Sequence, residues 1–180
     1  MKDKELIELF NQEESRNYAF NLIIKTYQER VYWQIRKMVI NHEDADDLTQ
    51  ETFIKVFKSL SSFKEDSQLF TWIYRIATNN CLSFLKKKKR RNILRFSSLE
   101  SDLMERVASN YSGDTADPEY LLQKALATLP EKQRMIFNMK YFEDLKFKEI
   151  SEILETSQGA LKASYHHAVK KIEVFIKANN

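Results

Sequence analysis

The chain has 180 residues, of which 43% are hydrophobic, and a formal net charge of +3. Its single cysteine excludes a disulfide framework and a cysteine-rich metal site. No N-terminal targeting signal and no apolar run of membrane-spanning length occur in the sequence, so we expect a soluble, cytoplasmic protein without membrane contact of its own.

Residues that break helices are rare in this chain. Both glycines and both prolines lie at residue 113 or later. A chain so poor in breakers and rich in Leu, Lys, Glu, Ile and Phe favours helix throughout. We predict an all-α fold of two small domains, residues 1–91 and 119–180, joined by a flexible acidic linker at 92–118.

Two series of apolar residues in the first domain recur at helical spacing. They are Phe20, Ile23, Ile24, Tyr27, Val31 and Ile35, followed by Phe53, Val56, Phe57 and Leu60. Asn41 or His42 interrupts the pattern, and the acidic residues just after it suit the positive N-terminal end of a helix. The sequence therefore predicts a new helix near residue 42.

This second helix has one face that mixes charge with an apolar residue. Asp47, Glu51, Ile54 and Lys58 fall on one side, and the apolar series from Phe53 onward lies behind them. An exposed isoleucine among charged residues is typical of an interface. The alternative is an ordinary amphipathic helix with a solvated face.

The segment from Thr71 to Arg91 reads TWIYRIATNNCLSFLKKKKRR and contains no acidic residue. At about 100° per residue, its polar and basic side chains separate from its apolar ones. The polar face comprises Arg75, Asn79, Ser83, Lys86 and Arg90, and the opposite face comprises Ile73, Ala77, Cys81 and Phe84. This placement predicts a buried Cys81 rather than a reactive thiol.

Two aromatic residues, Trp72 and Tyr74, begin this helix beside a polar loop that surrounds Phe63. A basic helix face with neighbouring aromatics and a polar loop could hold unstacked bases and follow a nucleic-acid backbone. The alternative is structural, with both aromatics in the core and the lysine run placed where cations stabilise a helix end.

The helical pattern stops between residues 92 and 118. Six acidic residues and one arginine lie between Ser97 and Glu119. This composition predicts a linker, although Leu99, Leu103 and Val107 could form a short helix.

In the second domain, Pro130 suits the first turn of a restarting helix.

Two apolar stripes flank a short break near the C-terminus. They are Phe147, Ile150 and Leu154, then Leu161, Tyr165, Ala168, Ile172 and Phe175, with the break at 156–159. Short helices around a tight turn are typical of a helix-turn-helix, whose second helix enters the major groove of DNA. A plain αα-hairpin with a solvated basic face is about equally compatible with the pattern.

Several small, basic and histidine side chains project away from the second stripe. They are Lys162, Ala163, His166, His167 and Lys170. Lys, Ser and His can donate to base edges, and Lys170 and Lys171 suit phosphates. The two histidines do not predict a metal site, because adjacent helical residues point about 100° apart and no third ligand follows at a useful spacing.

Four segments together resemble the extracytoplasmic-function (ECF) RNA polymerase sigma factors. They are DADDLTQETFIKVFKSLSSF (44–63), TWIYRIATNNCLSFL (71–85), ALATLPEKQRMIF (125–137) and the helix-turn-helix. The segments occur in the family's order, cover most of the chain and include an acidic linker where the family has one. The resemblance implies an alternative sigma factor that directs core RNA polymerase to promoters and assists melting of the −10 element.

The resemblance also implies two surfaces in the first domain. Docking on the clamp helices of the largest polymerase subunit carries over to Asp47, Gln50 and Glu51, with Ile54 on the same face. Asn79 matches the position that reads a flipped −10 base, and the preceding loop matches the pocket for that base. The residues implied in −10 binding are Glu65, Asp66, Ser67, Gln68, Leu69, Trp72, Arg75, Asn79, Ser83, Lys86 and Arg90.

In the second domain the resemblance implies a −35 reader that also meets the flap of the second-largest polymerase subunit. The residues implied are Lys162, Ser164, His166, His167, Lys170 and Lys171. Recognition helices in the family often carry several arginines, whereas this one has Ser164, His167 and Val169 where some would stand. An anti-sigma factor is an implied partner, a path along the RNA exit channel is implied for the acidic linker, and no cofactor is expected.

Two other classes of protein fit parts of the pattern. A helix-turn-helix regulator that binds its own operator without polymerase is the main alternative, and a helical interaction module is another. An enzyme is not expected, because the sequence lacks a Gly-rich phosphate loop, a metal-ligand cluster and a nucleophile paired with histidine.

Overall fold

The computed structural model describes residues 3–39, 41–93 and 118–179, with side chains outside the description at 91–93. Every regular element in these ranges is a helix, which confirms the all-α prediction. Most of the predicted linker, including the possible helix at Leu99, Leu103 and Val107, lies outside the described residues.

The helices follow one another with short connections. They are α1 (Asp3–Asn11), α2 (Arg16–Val39), α3 (His42–Ser59), α4 (Leu69–Ile93), α5 (Pro118–Thr128), α6 (Glu131–Tyr141), α7 (Phe147–Leu154) and α8 (Gln158–Asn179), with a 3₁₀ turn at Leu60–Ser62. The chain divides into two compact units, Met1–Ser83 and Phe84–Asn180. This division falls within α4, and the predicted domain limits at residues 91 and 119 stay predictions.

Helix α2 joins the other helices of the first unit. Its residues Ile23, Val31 and Ile35 are fully buried. The Tyr74 hydroxyl of α4 donates to the Arg30 carbonyl at 3.0 Å, and the Gln34 amide of α2 donates to Thr78 at 2.8 Å. Apolar packing supplies most of the stability of such a unit, and these directional bonds fix α4 against α2.

Helix α1 is tied to α2 by a hydrogen bond between side chains. The Tyr27 hydroxyl donates to Asp3 Oδ1 at 2.6 Å. Burial, together with the bond to Asp3 and its charge, raises the pKa of Tyr27 well above its usual value. The phenol therefore stays protonated, and keeps its role as donor, to a higher pH than an exposed tyrosine.

The predicted start of a helix near residue 42 is confirmed. Helix α3 begins at His42, and the Asn41 side chain accepts a hydrogen bond from the Asp44 amide at 3.1 Å. Such a cap satisfies one of the free amides at a helix start, and Glu43 and Asp44 complement the helix dipole in the first turn.

In the second unit, α8 packs on the other helices around one apolar cluster. Its buried members are Ala125, Leu126, Leu129, Phe137, Ala168 and Ile172. Arg134 of α6 is also buried, and this burial lowers its pKa, while the nearby Glu131 carboxylate opposes the shift. The two predicted apolar stripes of the helix-turn-helix are buried in part: Ile150, Leu161, Ala168 and Ile172 are buried, and Phe147, Leu154, Tyr165 and Phe175 are partly buried. Ile153, which the predicted first stripe did not include, is also buried.

The turn between α7 and α8 differs from the prediction by one to two residues. It spans residues 155–157 rather than 156–159, and Glu155 takes the left-handed conformation with φ of 49°. Gly159 lies inside α8, and a Cβ added there would meet nothing within 4 Å. Glycine is the usual residue at a helix end in the left-handed conformation. The predicted break therefore included Gly159, although Glu155 takes that conformation in the structure.

Candidate functional site

An open groove of about 960 Å³ runs between α2 and α3 in the first unit. Apolar and polar side chains from both helices line it. They are Phe20, Ile24, Gln28, Glu29, Tyr32, Asp46, Thr49, Gln50, Phe53, Ile54, Phe57 and Lys58. Apolar residues with a few polar groups at the edge are typical of a surface that receives a partner.

The predicted docking residues divide between this groove and the surface beside it. Gln50 and Ile54 line the groove, and Ile54 is 54% exposed. Asp47 and Glu51 are exposed on α3 but are not groove-lining residues. Glu51 Oε1 lies 2.8 Å from the Lys55 ammonium. The face that mixes charge with an exposed isoleucine is therefore present.

Phe57 does not lie where the sequence pattern predicts. The pattern places it behind the exposed face with the core residues, whereas Phe57 is 37% exposed and lines the groove. Its ring packs edge-on against Phe20 at 4.9 Å and Phe10 at 5.5 Å. These aromatic neighbours shield one side of the ring and leave the other side open to the groove.

The contribution of α2 to the groove was also missed. Phe20, Ile24, Gln28 and Tyr32 follow at intervals of four residues, which places them on one side of the helix. Ile23, Tyr27, Val31 and Ile35 form a second stripe, which is buried. The sequence signal was present as two offset stripes, but only one broad apolar face was recognised in it.

Hydrogen bonds between side chains organise one end of the groove. The Tyr32 hydroxyl and His42 Nδ1 are 2.7 Å apart, and His42 Nε2 lies 3.4 Å from Asp46 Oδ2. Tyr32 also contacts the half-exposed Trp33, with ring centroids 5.4 Å apart. The end of the groove near Tyr32 and Asp46 is thus polar and aromatic.

Helix α4 has the two faces that its sequence predicts. Asn79, Ser83, Lys86 and Arg90 are exposed, and Arg75 is half-buried. On the other side, Ile73, Ala77 and Cys81 are fully buried. Phe84 is only half-buried, and the Lys88 ammonium lies 5.2 Å from its ring centroid. The polar face leaves amide, hydroxyl and cationic groups available to a ligand.

A loop at residues 63–68 leads into the N-terminal end of α4. Glu65, Asp66 and Gln68 are exposed and Ser67 is half-buried. Glu65 has a φ of 55°, which is unfavourable for a residue with a side chain. Phe63 packs on Trp72 at 5.1 Å between ring centroids and anchors the start of the loop.

Two residues predicted to contact DNA have buried side chains. Leu69 is 1% exposed and Trp72 is 9% exposed. The structural alternative, in which the aromatics at the start of the helix belong to the core, therefore describes Trp72 and Tyr74 well. Side chains packed in this way position the loop and the first turn of α4, and a direct contact with a base would require them to leave the core.

The second unit presents the predicted polar face on α8. Lys162, Ala163, His166, His167, Lys170 and Lys171 are exposed, and Ser164 is half-buried. The Lys162 ammonium lies 6.0 Å from the Phe147 ring centroid of α7. A cation near the start of the second helix of a helix-turn-helix is suited to a base edge or a phosphate.

The described residues contain no group of three or more His, Cys, Asp or Glu side chains that could hold a metal ion. Among the helices formed by these residues, none is both long and apolar enough to cross a bilayer.

Comparisons with known proteins agree with the two-unit architecture. Residues 23–91 match the model of sigma-70 region 2, and residues 120–172 match that of sigma-70 region 4. The chain is 27% identical to the RNA polymerase sigma-H factor of Pseudomonas aeruginosa over 96% of its own length and 92% of that protein. It is 28% identical to the ECF RNA polymerase sigma-E factor of Escherichia coli K12, over 96% and 93% of the two chains.

Solved structures of similar fold include two sigma factors. One is RpoE of Bartonella quintana in complex with the anti-sigma factor NepR, with a TM-score of 0.67, 18% identity, and 89% of this chain and 98% of that chain covered. The other is CnrH in complex with the cytosolic domain of CnrY, with a TM-score of 0.70, 19% identity, and 99% of both chains covered.

The chain belongs to the sigma-70 family of RNA polymerase sigma factors, and within that family to the ECF group. It acts as an alternative sigma factor in transcription initiation. Sigma factors bind RNA polymerase and promoter DNA, and the surfaces described above are the candidates for these contacts.

Proposed function

We propose that this sigma factor docks on the clamp helices of the largest polymerase subunit through the α2–α3 groove and the adjoining α3 face. The exposed Ile54, in a groove that Phe20, Phe53 and Phe57 also line, is the observation that carries this proposal. When a partner covers an apolar side chain that was exposed to solvent, the free energy of binding becomes more favourable. Asp47, Gln50 and Glu51 supply polar contacts beside it, where charge pairs set orientation more than affinity.

The exposed face of α4 and the loop before it serve the −10 element. Asn79 can hydrogen-bond the edge of a flipped base, and Glu65 to Gln68 surround the pocket that receives it. Melting costs a few kcal/mol per unstacked base, which these contacts must offset. Leu69 and Trp72 contribute by holding the loop in place, because their side chains are buried.

The second unit serves the −35 element and meets the flap of the second-largest subunit. Lys162, Ser164 and His166 lie near the start of α8, where a helix-turn-helix places its base-reading residues. His167, Lys170 and Lys171 extend the same exposed surface toward phosphates. In this arrangement the chain acts by binding and not by catalysis, without a cofactor, in the cytoplasm. The functional domains are residues 1–91 and 119–180, joined by the 92–118 linker.

An anti-sigma factor is a further proposed partner. Two sigma factors of similar fold, RpoE of Bartonella quintana and CnrH, were solved with an anti-sigma factor and with the cytosolic domain of CnrY, respectively. The groove described here offers an apolar surface that such an inhibitor could cover in competition with polymerase.

Transcription in a purified system tests the proposed roles of the two units at the −10 and −35 elements. Adding the full chain to core polymerase of the same organism should produce run-off transcripts from a subset of genomic fragments. Footprinting should show protection at −10 and −35 that depends on core polymerase, because a sigma factor acts on the promoter as part of the polymerase holoenzyme. A tight footprint without polymerase would instead support the operator-binding regulator.

The salt dependence of promoter binding should report the cations of α4. Removing two phosphate contacts with Lys86→Gln and Arg90→Gln should reduce the slope of log affinity against log salt by about 1.4, since each contact to a single strand contributes about 0.7. Fluorescence anisotropy with a single-stranded −10 oligonucleotide and polymerase holoenzyme measures this slope. The matched pair Lys4→Gln and Lys25→Gln, on α1 and α2, should leave it unchanged. An equal slope in both double variants would place the phosphate contacts elsewhere.

A further inference from the structure

A polar cluster that is buried at its centre and exposed at Lys55 and Glu51 connects α3 to α4 next to the exposed Asn79. Its centre is Asn80, which is only 6% exposed. The Asn80 amide donates to Thr52 Oγ1 at 3.0 Å, and its carbonyl oxygen accepts from the Lys55 ammonium. Lys55 in turn pairs with Glu51 at 2.8 Å. One chain of contacts therefore leads from the proposed docking face to the proposed base-reading helix.

The cluster is held firmly on the α3 side. The Thr52 hydroxyl, which accepts from Asn80, donates to the Leu48 carbonyl at 2.7 Å. Thr52 is fully buried, so neither hydrogen bond can be replaced by water without opening the core. Apolar packing tolerates small rotations of a helix, whereas buried hydrogen bonds are directional and favour one arrangement.

The orientation of α4 determines where Asn79 points. Asn79 and Asn80 are adjacent, so their side chains leave the helix about 100° apart, one toward solvent and one toward α3. A rotation of α4 by about 10–20° would move the end of the Asn79 side chain by about 1–2 Å. A displacement of this size is enough to impair a geometry that depends on hydrogen bonds.

We propose that Asn80 and Lys55 are positioning residues that set the rotation of α4, and with it the base selectivity of Asn79, and that Lys55 links this setting to Glu51 on the docking face. This inference rests on the proposed roles of Asn79 and Glu51. It gives Lys55, which lies on the docking helix α3, a role in holding Asn79 in position for base reading. A polymerase cation that pairs with Glu51 competes with Lys55 and changes how firmly Asn80 is held.

The Lys55→Met variant separates this role from simple docking. Removing the ammonium should lower selectivity for the base at the Asn79-dependent position by about threefold to tenfold. Affinity for core polymerase should stay the same or increase, because Glu51 is released from its surface ion pair with Lys55. Selectivity is measured with single-stranded −10 oligonucleotides that carry each of the four bases, at saturating core polymerase, and core affinity is measured by competition.

Three further variants control this experiment. Lys25→Met makes the same charge change on the exposed side of α2 and should behave as wild type. Lys55→Arg keeps a cation and its donors and should restore most of the selectivity. Asn80→Leu should lose selectivity as Lys55→Met does, while thermal unfolding shows that it remains folded. Unchanged selectivity in Lys55→Met, or a parallel loss of core affinity, would overturn the proposal.

Hydrogen exchange keeps this test independent of the role of Asn79. In the free protein, the amides of residues 76–83 should exchange faster in Lys55→Met than in Lys25→Met. If Asn79→Ala changes no base preference, the assigned role of Asn79 fails, and the exchange rates alone decide whether Lys55 positions α4. Equal exchange in the two variants would then reject the positioning role.

Discussion

The Ile54→Asp variant should bind core polymerase at least about 30-fold more weakly than the wild-type chain, which corresponds to about 2 kcal/mol or more. The substitution removes an apolar contact and places a carboxylate in a groove from which docking would exclude water. Burying an unpaired charge is more costly than losing the apolar contact itself. A competition assay against a labelled sigma factor of the same host measures the change.

This result can be separated from a loss of folding. Ile54 is 54% exposed, so its replacement should shift the thermal midpoint little. The matched variant Tyr18→Asp changes a 63% exposed aromatic side chain on α2 that does not line the groove. It should retain core affinity. Equal weakening in both variants, or undiminished binding by Ile54→Asp, would contradict docking through this groove.

The Asn79→Ala variant should lose preference for one base of the −10 element by about fivefold to a hundredfold, the range of about 1–3 kcal/mol that a single read base contributes. The loss should be confined to one position, since one side chain reaches one flipped base. Binding of single-stranded −10 oligonucleotides with each base in turn, in the presence of core polymerase, identifies that position.

Core binding decides how a negative result with Asn79 is interpreted. Asn79 is exposed on α4 and lies outside the α2–α3 groove, so the affinity for core polymerase should not change. Asn21→Ala, which alters an exposed asparagine on α2, is the matched control and should keep every base preference. A parallel fall in core affinity and in binding to all oligonucleotides would identify Asn79 as a structural residue.

Much of the fold follows from local sequence. The scarcity of glycine and proline and the helical spacing of apolar residues predicted the helices, and the acids after Asn41 predicted the start of α3. These features act within one or two turns of the chain, so they can be interpreted without knowledge of the partner helices. The two-faced character of α4 was predicted for the same reason.

The docking surface was predicted only in part. Gln50 and Ile54 were recognised on α3, but Phe57 was assigned to the core, and Phe20 and Ile24 were not recognised as groove residues. Whether an aromatic side chain is covered depends on the helix opposite to it. The edge-on contacts of Phe57 with Phe10 and Phe20 join residues 37 to 47 positions apart, and no local periodicity contains that information.

The sequence by itself determined the helical class, the polar face of α4 and the membership of the sigma-70 family, because these depend on local spacing and on residue identity. Only the tertiary structure decided which side chains remain accessible. It placed Leu69 and Trp72 in the core, opened the groove between α2 and α3, and joined Lys55 to Asn80 across 25 positions. Accessibility and long-range hydrogen bonds arise when separate helices pack, since burial is a property of the assembled helices and not of any single one.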